Sequence, residues 1–215
     1  MRLVSELKVL FGSVVLSGAM LVSAQARAGE PAAQQPAAPA EVKGGKKDPM
    51  AAMQAAMEAA MTPGPEHEKL KGMAGTWSWA GKFWMAPGAP PDESSGQSEF
   101  KSVLGGRFLE EVSTGTVMKQ PFEGHGTVGY DNTKKKYVMS WADNMGTMIM
   151  TGEGTLDASG KKLTMSSEFV DPMTRKKKTV QMIRTSDSDT KFMLEMMDKV
   201  GGKPFKVMEL TYTKK

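Results

Sequence analysis

Two histidines, His67 and His125, are the only imidazoles in a 215-residue chain that has no cysteine. A thiol nucleophile and a three-histidine zinc site are therefore excluded, and a site completed by carboxylates would need a convergence that the sequence does not show. His125 stands among Gly124, Gly126 and Gly129, which are small enough to let a ligand or a second backbone come close, although such glycines also mark strand kinks. A lone histidine on a strand is equally weak evidence for haem ligation. No Gly-x-Ser-x-Gly elbow, phosphate-cradling loop or dinucleotide fingerprint is present. No catalytic residue, metal or cofactor is assigned on this basis. A hydrolase or isomerase built on His125 would require a carboxylate within hydrogen-bonding reach inside a cavity.

Charged residues on apolar strands carry more information. Arg184 shares a face with Val180 and Met182, and Glu111 shares one with Leu109. Glu195 lies between Met193 and Met197, and Glu209 between Met208 and Leu210. Any of these that faces inward must be paired, because an isolated buried charge is costly. An interior Arg/Glu cluster could anchor the polar head of a ligand, and the competing reading turns Glu195 and Glu209 outward. Alternation does not decide between them, because both faces of these strands carry hydrophobes. Trp77, Trp79, Tyr130 and Trp141 could wall a pocket or fill a core.

Methionine is the other candidate ligand, with 20 in the chain. Met50, Met53, Met57 and Met61 follow at helical steps and align their thioethers along one stripe. Thioethers suit Cu(I), but such a site needs several ligands converging, which one stripe does not guarantee. Packing of an adaptable apolar side chain explains the same spacing. The methionines of the later segments, Met139, Met148, Met150, Met165, Met182, Met193, Met196, Met197 and Met208, are expected in the core.

These residues are positioned by an all-β arrangement. After Gly75-Thr76-Trp77, about ten short strands follow with no helix-length periodic segment between them. The first alternates Trp77, Trp79, Phe83 and Met85 against Thr76, Ser78 and Lys82. The others are expected at about 96–104, 107–117, 124–130, 137–142, 146–156, 162–170, 178–185, 191–198 and 204–213. Turn chemistry separates them: Gly105-Gly106, Asp131-Asn132, Asp143-Asn144, Asp157 to Gly160, and Gly201-Gly202. Short consecutive strands of this kind close into an antiparallel up-and-down barrel or pack as a sandwich.

Ahead of the strands the composition changes twice. Residues 1–28 have a basic start, an apolar run from Val9 to Val22 and the small-x-small sequence Ala26-Arg27-Ala28, so a signal peptide cleaved after Ala28 is expected. The apolar run, about fourteen residues, is shorter than the roughly twenty that a spanning helix needs. Export to the periplasm or medium, with no membrane span after cleavage, is the expectation. Residues 29–49 are rich in Ala, Pro, Gln, Gly and Lys and read as a disordered linker. Residues 50–64 read as a Met/Ala-rich helix entered through Asp48-Pro49 and ended by Pro63-Gly64-Pro65. A short polar helical turn from Glu66 to Met73 then leads into a β domain spanning 65–215. Loss of residues 1–28 reduces the net charge from +4 to +2. The basic runs 134–136 and 175–178 sit at strand turns, so no nucleic-acid partner is expected.

A short helix followed by Gly-x-Trp and a meander of strands resembles the calycin superfamily, which includes lipocalins and fatty-acid-binding proteins. From about His67 to its end, the chain is also similar to a bacterial family classed only as a domain of unknown function. That likeness is carried by GTW (75–77), LGGRFLEE (104–111), PFEGHGTVGYDN (121–132), WADNM (141–145), DP (171–172) and MELTYT (208–213). The resemblance implies an exported, lipocalin-like barrel and supplies no catalytic residues. Two departures from lipocalins stand out. Their opening tryptophan is covered by an arginine from the last strand, whereas only Lys214 and Lys215 follow here, and their Thr-Asp-Tyr turn has no match.

The leading expectation is non-catalytic binding of a small apolar or amphipathic molecule by Trp77, Trp79, Tyr130, Trp141, Arg184, Glu195 and His125. It requires a cavity of at least a few hundred cubic ångströms. A protein-interaction module with a solid barrel and a docking Met-rich helix is the alternative, and an envelope hydrolase or isomerase is a third. Oligomeric state is not legible.

Overall fold

Inward tryptophans and outward polar residues set the first strand, β1 (Gly75–Phe83): Trp77 and Trp79 are buried while Thr76, Ala80 and Lys82 are exposed. The computed structural model describes residues 48–215, apart from Met173. The expected signal peptide, and the expected linker up to residue 47, lie outside the described residues.

All ten expected strands form, and they close on themselves. After β1 come β2 (Asp92–Val103), β3 (Phe108–Val117), β4 (Gln120–Asp131), β5 (Lys136–Asp143) and β6 (Met150–Leu156). They are followed by β7 (Lys162–Val170), β8 (Lys177–Ser188), β9 (Lys191–Val200) and β10 (Lys203–Lys214). Each pairs antiparallel with its neighbours in sequence, and β1 pairs with β10, so the barrel has no free edge. The strand expected from Gly146 starts later, at Met150. Asn144 is held across the loop instead, accepting from the Glu123 amide and donating to the Pro121 carbonyl, while Asp143 accepts from the Met145 amide in an Asx turn.

Two helices precede the barrel: α1 (Pro49–Met61) and α2 (Pro65–Gly72). Asp48 caps α1 through the Met50 amide, and Pro49 occupies its first turn. In α2 the His67 ring accepts from the Gly64 amide at 2.9 Å, which fixes that imidazole in a capping role. His67 and Leu70 are buried where α2 plugs the end of the barrel formed by the β2–β3 and β4–β5 turns. Beneath the plug, Trp77, Phe100, Phe192 and Tyr212 form an aromatic floor, with Phe192 stacked on Tyr212 at 4.4 Å. Trp77 donates from Nε1 to the Met73 carbonyl. Lys214, the last residue of β10, lies over the Trp77 ring at 5.5 Å and donates to the Gly72 carbonyl. A lysine inside the last strand therefore covers the opening tryptophan.

No residue of α1 is buried, and its four stripe methionines are 52–67 % exposed. Only its C-terminal end is tied to the barrel, by Arg107 to the Met61 carbonyl and by Asn132 to the carbonyls of Ala59 and Thr62. These are exposed neutral acceptors, each worth about 1 kcal/mol. Deleting residues 29–64 should leave the barrel folded, with its melting temperature lowered by only a few degrees. Thermal unfolding followed by tryptophan fluorescence checks this, and loss of a cooperative transition would refute it.

Candidate ligand-binding site

The inward side chains do not fill the barrel. A cavity of about 410 Å³ remains between the aromatic floor and the opposite end, within the range of small-molecule sites. Its wall is dominated by sulfur and aromatic groups, among them Met139, Met165, Met182, Met196, Met208, Phe122, Trp79 and Trp141. Leu70 and Met73 close one end of this wall. At the other end Met85 and Met145 line the cavity while remaining 74 % and 45 % exposed, so the space opens to solvent there.

Close backbone approach makes room for the indoles. A Cβ at Gly96 would lie 2.4 Å from the Trp79 ring, and one at Gly124 would lie 2.4 Å from the Trp141 ring. Gly124 and Gly126, on either side of His125, thus accommodate Trp141 on the inner face. Trp141 donates to Asp143 Oδ2 at 2.9 Å and stacks on Phe122. Trp79 Nε1 is buried with no acceptor among the described residues.

Three charged residues line the cavity: Asp143 near its open end, and Glu111 and Arg184 toward the plugged end. Glu111 Oε1 accepts from Ser98 Oγ at 2.7 Å and from the Tyr212 hydroxyl at 3.3 Å, with no cation beside it among the described residues. Burial raises the Glu111 carboxyl to a pKa of about 7 against the lowering by these two bonds. Arg184 lies against the Met73 sulfur and 5.9 Å from the Phe192 ring centroid. Its Nε finds no acceptor among the described residues, and burial lowers its pKa.

Matched over residues 62–214 is the model of a family described as a protein of unknown function, DUF1579. The chain belongs to the DUF1579 family. No curated protein matches it. Among solved structures, this DUF1579 chain is similar to Rv2717c from M. tuberculosis, at 15 % identity and a TM-score of 0.54, over 72 % of this chain and 99 % of that one. The likeness is one of fold. EF1p2_mFAP2b, solved bound to DFHBI, also matches at 15 % identity and a TM-score of 0.38, over 69 % of this chain and 98 % of that one.

Of the ligand contacts expected from the DUF1579 sequence, the structure brings Trp79, Trp141 and Arg184 to the cavity wall. It places the others elsewhere. Trp77 is beneath the cavity in the floor, and Tyr130 packs edge-on against His67 and Tyr137 under the plug. Glu195 faces outward, opposite Glu209 in the β9–β10 register, and Lys206 bridges the two carboxylates at 2.5 and 2.6 Å. His125 is on the outer face of β4, where it bonds Glu123 at 2.9 Å with both side chains about 60 % exposed. Among the described residues no cluster of three or more His, Asp or Glu side chains could hold a metal ion. The strand methionines are expected in the core; Met139 and Met165 are buried there, Met150, Met182 and Met208 pack against it, and these five also line the cavity, with Met196.

Proposed function

We propose that this protein is an exported, non-catalytic binder of a small apolar or amphipathic molecule, held inside a calycin-like barrel. One observation carries the reading: an apolar cavity of about 410 Å³ that opens to solvent at one end. A solid barrel acting only as a docking module would have no use for such a void, because an unfilled apolar space forfeits packing energy. Methionine suits the wall of an adaptable site, since its unbranched side chain can re-pack around different shapes. The lysine over Trp77 supports the calycin-like reading by occupying the place of the lipocalin arginine. Export rests on the three-part segment at residues 1–28. Among the described residues no helix is long and apolar enough to cross a membrane.

The envelope-enzyme reading loses its chemical basis, because the His125–Glu123 pair is exposed on the outer wall and not enclosed with a substrate. Native mass spectrometry of the protein from its own envelope fraction should show a small-molecule adduct. Met182→Trp, which fills the cavity from the middle of β8, should reduce adduct occupancy at least about fivefold while the protein still unfolds cooperatively. A clean apo mass, unchanged after incubation with envelope lipid extract, would sink the proposal.

A further inference from the structure

We infer that the ligand of this cavity is a monoanionic amphiphile, seated with its acid group at the plugged end on Arg184 and its apolar tail directed toward the methionine-rimmed mouth. This rests on the cavity-binding reading above and specifies its chemistry.

The charge balance of the barrel singles out Arg184. Lys178 is held by Asp198 at 2.6 Å and by Asp171, and Lys206 by Glu195 and Glu209. Arg184 has no carboxylate partner among the described residues, although it lies on the wall of an apolar cavity, where an uncompensated cation is costly. The Tyr137 hydroxyl close by is already committed as donor to Glu66. The two carboxylates of the cavity wall are engaged elsewhere, Glu111 by Ser98 and Tyr212 and Asp143 by Trp141 near the open end, which leaves the counter-charge to the ligand. The buried polar atoms left without partners on the cavity wall, Arg184 Nε and Trp79 Nε1, are both donors, so the complementary ligand group is an acceptor. Planar guanidinium recognises an acid oxygen pair well, and one guanidinium balances one negative charge.

The position of Arg184 sets the orientation. It touches Met73, directly after the α2 plug, while the opposite end of the wall is rimmed by exposed Met85 and Met145. An acid at the closed end leaves the tail along the methionine wall. Glu111 shares that end and would repel the acid when ionised, but protonated it does not.

The test is calorimetric titration of the full chain at pH 6 with three probes of equal tail length: dodecanoate, dodecanol and dodecyltrimethylammonium. Dodecanoate should bind at least about tenfold more tightly than dodecanol, and dodecyltrimethylammonium more weakly than either. Arg184→Gln should lose at least about tenfold in dodecanoate affinity and leave dodecanol binding unchanged. Trp79→Phe, which removes one donor and keeps an aromatic ring edge-on to Phe122, should lose a smaller factor for dodecanoate alone. Equal affinity for acid and alcohol in the unaltered protein, or preference for the ammonium, overturns the inference and leaves the cavity reading standing. Binding of none of the three overturns both. The comparison of probes on unaltered protein decides the matter even if Arg184→Gln does not fold.

Discussion

Replacing Glu111 with glutamine is expected to stabilise the protein by about 3 kcal/mol at pH 8 and to change its stability little near pH 4. Glu111 titrates near 7 in the folded barrel, against an ordinary value of 4.5. Between those two pH values the folded protein keeps a proton that the unfolded chain has released. Stability therefore falls as pH rises from about 4.5 to 7 and is flat, for this group, above that range. Glutamine retains the acceptor that Ser98 and Tyr212 use on Oε1 and carries no charge to bury. Urea unfolding of both proteins across pH 4 to 8 checks this. Parallel stability curves for the two would show that the cavity hydrates Glu111 well enough to ionise it at its ordinary pH.

The placement of this carboxyl shows where sequence reasoning succeeded and where it ended. Strand count was legible because turn pairs such as Asp131-Asn132 and Gly201-Gly202 punctuate short segments of strand length. The inward phase was legible where one face is polar, as in β1, where Trp77 and Trp79 oppose Thr76 and Lys82. It failed for Glu195 because β9 is apolar on both faces: Leu194 and Met196 point to the cavity, Met193 and Met197 away from it. A period of two then gives no preference, and only the bridge through Lys206 reveals the outward side.

Depth within the barrel was not legible at all. Trp77 and Trp79 have the same phase, yet one lies in the floor and the other on the cavity wall. That difference depends on how far α2 inserts and on the stagger between strands, which are properties of the closed sheet as a whole. The cavity itself was hidden for a related reason. Whether ten inward-facing rows fill a barrel is a sum over all of them, including glycines such as Gly96 that admit an indole.

The division between floor and wall makes a second strong prediction, that Trp77→Ala costs about 3–5 kcal/mol of stability. At roughly 2–4 °C per kcal/mol for a domain of this size, the melting temperature should fall by about 6–20 °C. Trp77 is 2 % exposed, packs against Phe100 and Phe192, carries Lys214 on its ring and binds the Met73 carbonyl that joins plug to barrel. Its removal opens the floor and frees the end of α2 together. Phenylalanine substitutions separate the packing from the bond. Trp77→Phe gives up the hydrogen bond to Met73, a loss of about 1 kcal/mol beyond the change in ring size. Trp79→Phe gives up none, because Trp79 Nε1 has no acceptor among the described residues. Trp77→Phe should therefore destabilise more than Trp79→Phe when both are measured by chemical denaturation without ligand. Added dodecanoate should then stabilise Trp79→Phe less than it stabilises the unaltered protein. Equal losses for the two phenylalanine variants would mean that the plug is held by packing alone, and that the Trp77–Met73 bond contributes nothing to closing the floor.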